Sequence, residues 1–189
     1  MRILLASNSP RRKELLNELG FDFEVVSVDC DEVYPDHLEV NQIAAYLSEL
    51  KSNAFRLLNE GELLITADTI VALNEEILGK PNDEVHAKEM LQKLSGKTHQ
   101  VYTGITLKTL TKTITKTDVA NVEFDDINNE ELDFYIQKYR PFDKAGSYGI
   151  QEWLGMAKIK NIQGSFYTIM GLPTHLVYSL LKDFEQVTS

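Results

Sequence analysis

The sequence predicts an α/β fold in which a mixed, twisted sheet is flanked by helices. Short apolar runs of strand length alternate with segments whose apolar residues recur every three or four positions. The continuous apolar run over 63–67 is typical of a central strand that is covered on both faces. Two Thr-rich segments, 101–110 and 114–124, follow one another and predict a hairpin. Alternating strands and helices with a hairpin indicate the α/β class and a mixed sheet.

The first predicted elements are a strand over 3–6 and a helix that begins at Pro10. Ser9 is a good N-cap, and Pro10 fits the first helical position because its missing N–H costs nothing there. An apolar helical face follows, and Gly20 ends the helix. That face consists of Leu15, Leu16 and Leu19.

The same patterns predict the remaining elements. Residues 29–32 form a dense acidic loop, and Asp68-Thr69 closes the strand over 63–67. The predicted strands are 21–26, 63–67, 70–73, the hairpin, 157–159 and 165–170. The predicted helices are 40–58, a helix from Asp83 that ends before Gly96, 130–138 capped by Asn128 or Asn129, and a last one carrying Leu176, Val177, Leu180, Leu181 and Phe184.

The composition indicates one domain over 1–189, with room for two lobes around a central cleft. The run over 1–6 is too short for a signal peptide, and no stretch approaches the roughly 18 apolar residues of a membrane span. A single cysteine, Cys30, excludes an internal disulfide and suits a reducing cytoplasm. The net charge of −10 argues against broad nucleic-acid or acidic-membrane binding. We therefore expect a cytoplasmic protein with no nucleic-acid or membrane partner.

Three cations, Arg11, Arg12 and Lys13, occupy the first turn of the first helix. There the helix dipole is positive and the first N–H groups lack partners, so each charge costs on the order of 0.3–1 kcal/mol. An anion would remove that cost, because the N–H groups and two guanidinium groups would all point at it. The turn is therefore either a phosphate site or a solvated basic surface, and the physics alone favours neither.

Two carboxylates are candidates for chemistry. Asp68 is predicted to follow a buried strand directly, where it is a general base, a metal ligand or a plain cap. Glu32 lies in the acidic loop, where most carboxylates are simply solvated. Hard carboxylate ligands together with cations suit Mg²⁺ or Mn²⁺ held partly by phosphate oxygens, which predicts metal-assisted chemistry on a phosphorylated small molecule. The cations are Arg11, Arg12, Lys51, Lys80 and Lys144.

Other site patterns are missing. The four histidines are scattered without zinc-ligand spacing, and no G-x-S-x-G elbow is present. Gly79-Lys80 lacks the upstream glycine of a P-loop. Lys51 lies in a predicted helix, where a lysine is usually surface charge, and Lys144 and Gln151 are individually unremarkable.

An ordered set of motifs spans nearly the whole chain and resembles the Maf family of nucleoside triphosphate pyrophosphatases. Each motif alone is weak, whereas the ordered set is highly specific. The matching stretches are 5–16, 67–69, 78–81, 90–96, 99–103, 143–151, 164–167 and 170–173. The resemblance implies hydrolysis of a nucleoside triphosphate to monophosphate and pyrophosphate, with water attacking the α-phosphorus and a divalent metal assisting. It also implies a cytoplasmic homodimer whose fold is shared with the inosine triphosphate pyrophosphatases.

The resemblance carries roles to individual residues. Asp68 matches the proton acceptor, and Glu32 matches a loop glutamate. We expect these two carboxylates to hold the metal. Ser9 and Arg12 match groups that hold phosphate, joined by Lys51, Lys80 and Lys144. The branch that acts on dTTP and UTP is marked by three residues, which match Arg11, Thr69 and Gln151. A glutamine offers both a donor and an acceptor, which suits the edge of uracil and thymine.

The sequence departs from the family pattern at two places. Ser52 stands where the family more often has alanine, and Glu152-Trp153 follow Gln151 where many relatives have glycine. The second departure could reshape the base pocket. The alternative function is a nucleotide-binding regulator of septum formation without significant catalysis, because the family also carries a link to septum formation.

Overall fold

The structure is a computed structural model that describes residues 1–187, and it has the α/β architecture expected from the sequence. Strands and helices alternate along most of the chain. The elements are β1 (Arg2–Ala6), α1 (Pro10–Glu18), β2 (Phe23–Val26), α2 (Val40–Ala54), β3 (Glu62–Leu73), β4 (Glu76–Leu78), α3 (Glu84–Leu94), β5 (Thr98–Lys108), β6 (Thr113–Phe124), α4 (Asn129–Tyr139), a 3-10 turn (Ala145–Ser147), α5 (Trp153–Lys158), β7 (Ile159–Gln163), α6 (Phe166–Met170) and α7 (Thr174–Val187).

The sheet has seven strands in the order β2-β1-β3-β5-β6-β7, and β4 pairs with β3. β1 is parallel to both β2 and β3, with Leu4 opposite Glu24 on one side and Leu64 on the other. The pairs β3–β4 and β6–β7 are antiparallel. The predicted mixed sheet is therefore confirmed.

The chain divides into two compact units. Unit 1 comprises 1–68, 103–118 and the chain from Gly171 onward, and unit 2 comprises 69–102 and 119–170. The division falls inside β3, between Asp68 and Thr69.

In unit 1, helix α2 is held against the sheet by small and polar groups. A Cβ added at Gly104 of β5 would lie 2.2 Å from the backbone oxygen of Ala44, so only glycine permits this approach. Thr66 Oγ1 donates to the backbone oxygen of Ser48 at 2.6 Å, and the hydroxyls of Ser48 and Thr106 are 2.8 Å apart. These buried bonds fix the position of α2, which carries Lys51. Leu4, Ala6, Leu58 and Leu64 form an apolar cluster in the same unit.

In unit 2, α3 and α4 pack on one apolar core. His99 lies inside this core, 5.1 Å from the Phe124 ring and 5.4 Å from the Tyr148 ring. Its Nε2 and the Tyr148 hydroxyl are 2.7 Å apart. Because burial lowers the pKa of His99 to about 4, the imidazole is neutral at pH 7. His99 is thus a packed core residue.

Two predicted strands are wrong. Residues 165–170 form a serine followed by the short helix α6, and 157–158 belong to α5, so that the strand begins only at Ile159. Short apolar runs fit one helical turn as well as a strand, and here the helix leaves Phe166 and Tyr167 exposed. The backbone then turns at Gly171, whose φ of 103° suits glycine.

Helix α2 is shorter than predicted. It ends at Ala54 rather than near residue 58, and its buried face is Ile43, Ala44, Leu47, Ser48 and Ser52. Leu57, which lies within the predicted helix, is outside the observed one and is 84% exposed. Across residues 1–187, no helix combines the length and the apolar character required to cross a membrane.

Candidate functional site

The start of α1 has the predicted backbone. Ser9 occupies the N-cap position in extended conformation, and Pro10 is in the first helical turn. The Ser9 side chain, however, makes no cap hydrogen bond. Instead the Ser9 N–H donates to Ser7 Oγ at 3.2 Å. The Ser9 hydroxyl is therefore not used to cap the helix.

Arg12 leaves this turn toward other parts of unit 1. Its Nε donates to the backbone oxygen of Gly171 at 2.8 Å. The pKa of the Arg12 guanidinium lies below its ordinary value, mainly because the group is buried. Among the nearby charges, Asp68 and Glu32 raise this pKa and Arg11 lowers it. The guanidinium stays charged at neutral pH, so Arg12 adds a cation to the environment of Asp68.

Lys51, near the end of α2, lies between two carboxylates. Its ammonium donates to Asp68 Oδ1 and is 3.0 Å from Glu32 Oε1. The side chains of Lys51 and Asp68 are only 12% and 10% exposed, whereas Glu32 is 50% exposed on its loop. We name these three residues the Lys51 cluster. The structure therefore brings Glu32, Lys51 and Asp68 together, as the sequence predicted for one site.

The prediction that Asp68 follows the end of a strand is wrong. β3 continues without a break from Glu62 to Leu73, so Asp68 and Thr69 lie inside it. A polar residue does not interrupt backbone pairing, and a buried carboxylate is tolerated in a strand when an opposite charge compensates it. Lys51 supplies that charge. The sequence predicts Asp68 as a candidate from a position at the end of a strand, whereas the structure places it inside one.

The Lys51 cluster fits a divalent metal in part. Glu32 and Asp68 both reach one ammonium group, so both can approach one cation. Mg²⁺ is commonly held by one or two carboxylates together with substrate phosphates and water. Among the residues that the structure describes, no group of three or more His, Cys, Asp or Glu side chains could hold a metal ion. The other ligands would therefore come from substrate and solvent.

In unit 2 the predicted residues lie on loops that are joined to one another. Lys80 is exposed after β4, next to Gly79. The backbone oxygen of Gly79 accepts from the Gly146 N–H at 3.1 Å. A Cβ at Gly146, whose φ is 68°, would lie 2.9 Å from Val71, so glycine is required there. The Lys80 loop is thus fastened to the segment that carries Lys144.

Lys144 is buried and paired. Its ammonium is 2.7 Å from Asp143 Oδ1 and 3.1 Å from Glu152 Oε1. The Tyr135 hydroxyl donates to Glu152 Oε2 and accepts from the Gly149 N–H at 3.0 Å. Burial first, and then the bond to Glu152, raise the pKa of Tyr135, which keeps the phenol protonated. We name Glu152, Lys144 and Tyr135 the Glu152 cluster.

Three predicted residues remain, and Arg11, in the first turn of α1, is partly exposed. Gln151 is exposed although its neighbours Ile150 and Gly149 are buried, and Thr69 is partly exposed in β3. Sequence reasoning missed the partners of Glu152, because nothing local connects a tyrosine of α4 with a glutamate at the start of α5. The one available indication was the departure from the family pattern at Glu152.

The fold and the charged side chains define a class: an α/β protein whose cationic helix start and lysine–carboxylate cluster suit an anionic ligand. Two solved structures share the fold. A HAM1 protein from Coxiella burnetii matches with a TM-score of 0.54 at 13% identity, over 97% of this chain and 99% of that one. The Ham1 protein of Staphylococcus aureus matches with a TM-score of 0.53 at 20% identity, over the same shares.

The sequence comparisons identify the family. Residues 2–184 match the model of the Maf-like protein family. A Bacteroides thetaiotaomicron protein named dTTP/UTP pyrophosphatase is 51% identical over 183 residues, which are 96% of this chain and 95% of the relative. A Porphyromonas gingivalis protein of the same name is 47% identical over 187 residues, 97% of this chain and 94% of the relative. The chain belongs to the Maf family, which confirms the resemblance found in the sequence.

Proposed function

We propose that this protein is a nucleoside triphosphate pyrophosphatase that hydrolyses dTTP and UTP to the monophosphate and pyrophosphate. Membership of the Maf family and the names of the relatives support the proposal. The observation that carries it is the Lys51 cluster, which joins Lys51, Asp68 and Glu32 in the charge environment of Arg12. This arrangement pairs a candidate base with cations that can neutralise phosphate.

The proposed reaction is an attack of water on the α-phosphorus. The water oxygen forms a bond to that phosphorus, the bond from the α-phosphorus to the bridging oxygen breaks, and pyrophosphate leaves. Asp68 accepts the proton that the water loses. Arg12 and Lys51 offset the negative charge of the phosphates, and Ser9 donates a hydrogen bond to a phosphate oxygen.

We further propose Mg²⁺ or Mn²⁺ as the cofactor, with Glu32 and Asp68 as its protein ligands. Such an ion, when bound, supplies Lewis-acid stabilisation of phosphate oxygens. With the ion in place, Lys51 would turn from the two carboxylates to the phosphates.

The residues of unit 2 and of the helix start take the roles that the family pattern implies. Lys80 and Lys144 are assigned to the phosphates, and Gln151, Thr69 and Arg11 to selection of the nucleotide. The exposed amide of Gln151 suits the edge of uracil or thymine, where one donor and one acceptor lie side by side. A cytoplasmic homodimer remains our prediction for the assembly, and sedimentation analysis of the purified protein tests the homodimer.

A nucleotide-panel assay with Mg²⁺ and with Mn²⁺, scored for pyrophosphate, tests the function. We expect pyrophosphate from dTTP and UTP, and much less from the other nucleotides. Release of inorganic phosphate instead would contradict attack at the α-phosphorus. Nucleotide binding without product would favour the alternative, a regulator of septum formation without significant catalysis.

A further inference from the structure

The segment from Gly149 to Glu152 forms a closed turn that presents Gln151. The Glu152 N–H donates to the backbone oxygen of Gly149 at 3.0 Å, which is the bond of a β-turn. Ile150 and Gln151 are its central residues. Ile150 is buried and Gln151 is exposed, so the turn anchors one side chain in the core and directs the next one outward.

Both ends of this turn are bound by one phenol. Tyr135 accepts from the N–H of Gly149 at 3.0 Å and donates to the carboxylate of Glu152. The other oxygen of that carboxylate is 3.1 Å from Lys144 Nζ. Both carboxylate oxygens therefore have buried or nearly buried partners, and the negative charge of Glu152 is compensated by the ammonium of Lys144.

The glycines around the turn fit this arrangement. A Cβ at Gly149 would lie 2.8 Å from Glu152 Cδ, so glycine leaves the space that the carboxylate fills. A Cβ at Gly155 would lie 1.8 Å from the backbone oxygen of Ile150, so glycine lets α5 pack directly on the turn. The side chain of Glu152, although it occupies the N-cap position of α5, makes no cap hydrogen bond and is used to fasten the turn.

We infer that Glu152 is a positioning residue for nucleobase selection: it fixes the turn that presents Gln151. The inference rests on the proposed function. A glutamine amide can pair with the edge of uracil or thymine, and after a rotation of 180° it can pair with cytosine equally well. A glutamine on a mobile turn would therefore discriminate poorly between these bases. Because a misplacement of about 1 Å can cost about a hundredfold in rate, loss of the fixed turn should weaken the pairing that favours dTTP.

The test compares kcat/KM for dTTP and dCTP in the wild type and in Glu152→Ala, Glu152→Gln and Tyr135→Phe. We expect Glu152→Ala to lower the dTTP-to-dCTP ratio at least tenfold, mainly through a higher KM for dTTP, with kcat within about threefold. Glu152→Gln should recover part of the ratio because an amide oxygen can still accept from Tyr135. Tyr135→Phe should act in the same direction as Glu152→Ala.

Glu131→Gln is the matched control. Glu131 also pairs with a lysine, Lys158, in unit 2 and is also only partly exposed, but it caps the start of α4 rather than the Gln151 turn. Its variant should keep the wild-type ratio. An unchanged ratio in folded Glu152→Ala, or in Tyr135→Phe where Glu152→Ala does not fold, would overturn the inference, as would the same ratio change in Glu131→Gln. Equal loss of rate on both nucleotides would overturn it too, because that result describes a general fold defect.

Failure of the proposed function gives a different result. If the wild type releases no pyrophosphate, the proposed function is wrong, and equilibrium binding of dTTP and dCTP is measured in the same variants. A dTTP preference that weakens in Glu152→Ala still supports the positioning role. A preference that does not change, or a wild type without any preference, overturns it.

Discussion

The Lys51 cluster of unit 1 and the Glu152 cluster of unit 2 have similar components but differ in how completely they are closed. Each contains a lysine that is almost buried, with exposed fractions of 12% for Lys51 and 9% for Lys144. In the Lys51 cluster, the second acid, Glu32, is half exposed on a loop without regular secondary structure. In the Glu152 cluster, the carboxylate of Glu152 is only 16% exposed and has a partner at each oxygen, Tyr135 and Lys144.

This difference separates a cluster that can exchange partners from one that holds the backbone. An exposed carboxylate is solvated when it moves, so the Lys51 cluster can open for a ligand at little cost. A carboxylate bound on both oxygens inside the protein leaves unpaired polar groups when it moves, and that cost keeps it in place. We therefore expect proton transfer at the Lys51 cluster, and at the Glu152 cluster a rigid backbone in which Lys144 keeps a fixed position.

The largest expected effect is on catalysis at the Lys51 cluster. Asp68→Asn keeps the size of the side chain and removes its ability to take a proton. We expect pyrophosphate release from dTTP to fall about a thousandfold, the range of a lost general base, while the melting temperature stays close to that of the wild type. Steady-state kinetics with Mg²⁺ and a thermal melt measure both quantities.

Asp133→Asn is the control for this variant, because Asp133 also pairs with a lysine, Lys88, but on the surface of unit 2. Its rate should equal that of the wild type. Near wild-type turnover in Asp68→Asn would remove the catalytic role of Asp68 and, with it, the functional contrast between the two clusters.

The second prediction concerns stability and compares the two lysines. Lys144→Met leaves the carboxylate of Glu152 buried without a compensating charge, which should cost about 3 kcal/mol of unfolding free energy. Lys51→Met should cost about 1 kcal/mol, because Arg12 still compensates Asp68 and Glu32 can turn to solvent. Urea unfolding curves of the two variants measure the difference. Equal losses would show that the two clusters are closed to the same degree.

The sequence predicted well the elements whose ends are marked locally. Asp83 accepts from the His86 N–H at 2.8 Å at the start of α3, and Asn128 and Glu131 form a capping box at the start of α4. Such bonds involve residues three positions apart, so the local sequence contains them. The last helix follows from its apolar period in the same way. The strand predicted over 165–170 is wrong because a short apolar segment has too few residues to show a period.

The chemistry of the residue types predicted which side chains are candidates for the site, but it did not predict which of them contact one another. Lys51–Asp68 and Tyr135–Glu152 both join residues 17 positions apart that lie on different elements. No local pattern encodes such a pair, because it depends on how helix and strand pack. Residue chemistry grouped Lys51, Asp68 and Glu32 with other candidates, and the family resemblance assigned each of them a role. It could not supply Tyr135 or the partners of Glu152, since Glu152 departs from the family pattern.

The third prediction concerns the pH dependence of the unfolding free energy and compares one titrating group from each unit. In unit 2, burial lowers the pKa of His99 from 6.5 to about 4, so the unfolded chain binds the proton more readily. The stability that the neutral imidazole contributes is complete above pH 6.5 and is lost as the pH falls toward 4. The loss between pH 7 and pH 5.5 should be about 1 kcal/mol.

In unit 1, hydrogen bonds from Arg56 and then from the Asn59 N–H hold the pKa of Glu62 at about 2. Because the folded pKa lies below the ordinary value of 4.5, this contribution is present above pH 4.5 and is lost only as the pH falls toward 2. Unfolding free energies across pH 7 to 3 should therefore drop first through His99. His99→Gln should flatten the curve between pH 6.5 and 5, and Glu62→Gln should leave that part unchanged. The opposite pattern would contradict both assignments.

The smallest expected effect is at Ser52, the neighbour of Lys51 in α2. Its hydroxyl is buried and has no hydrogen-bond partner among the described residues. A buried hydroxyl without a partner loses its hydration and gains nothing in return, so Ser52→Ala should raise the unfolding free energy by up to about 1 kcal/mol.

Ser48→Ala is the matched control one turn earlier, where the hydroxyl donates to the Ala45 backbone oxygen at 2.8 Å and contacts Thr106. That variant should lose about 1 kcal/mol. Urea unfolding should show a higher unfolding free energy for Ser52→Ala and a lower one for Ser48→Ala. Together with unchanged turnover in Ser52→Ala, this result would show that α2 holds Lys51 in place without the Ser52 hydroxyl, and that the hydroxyl lowers stability. A loss in Ser52→Ala would mean that the hydroxyl contributes to holding the Lys51 cluster, which would then be less free to open than its exposed glutamate suggests.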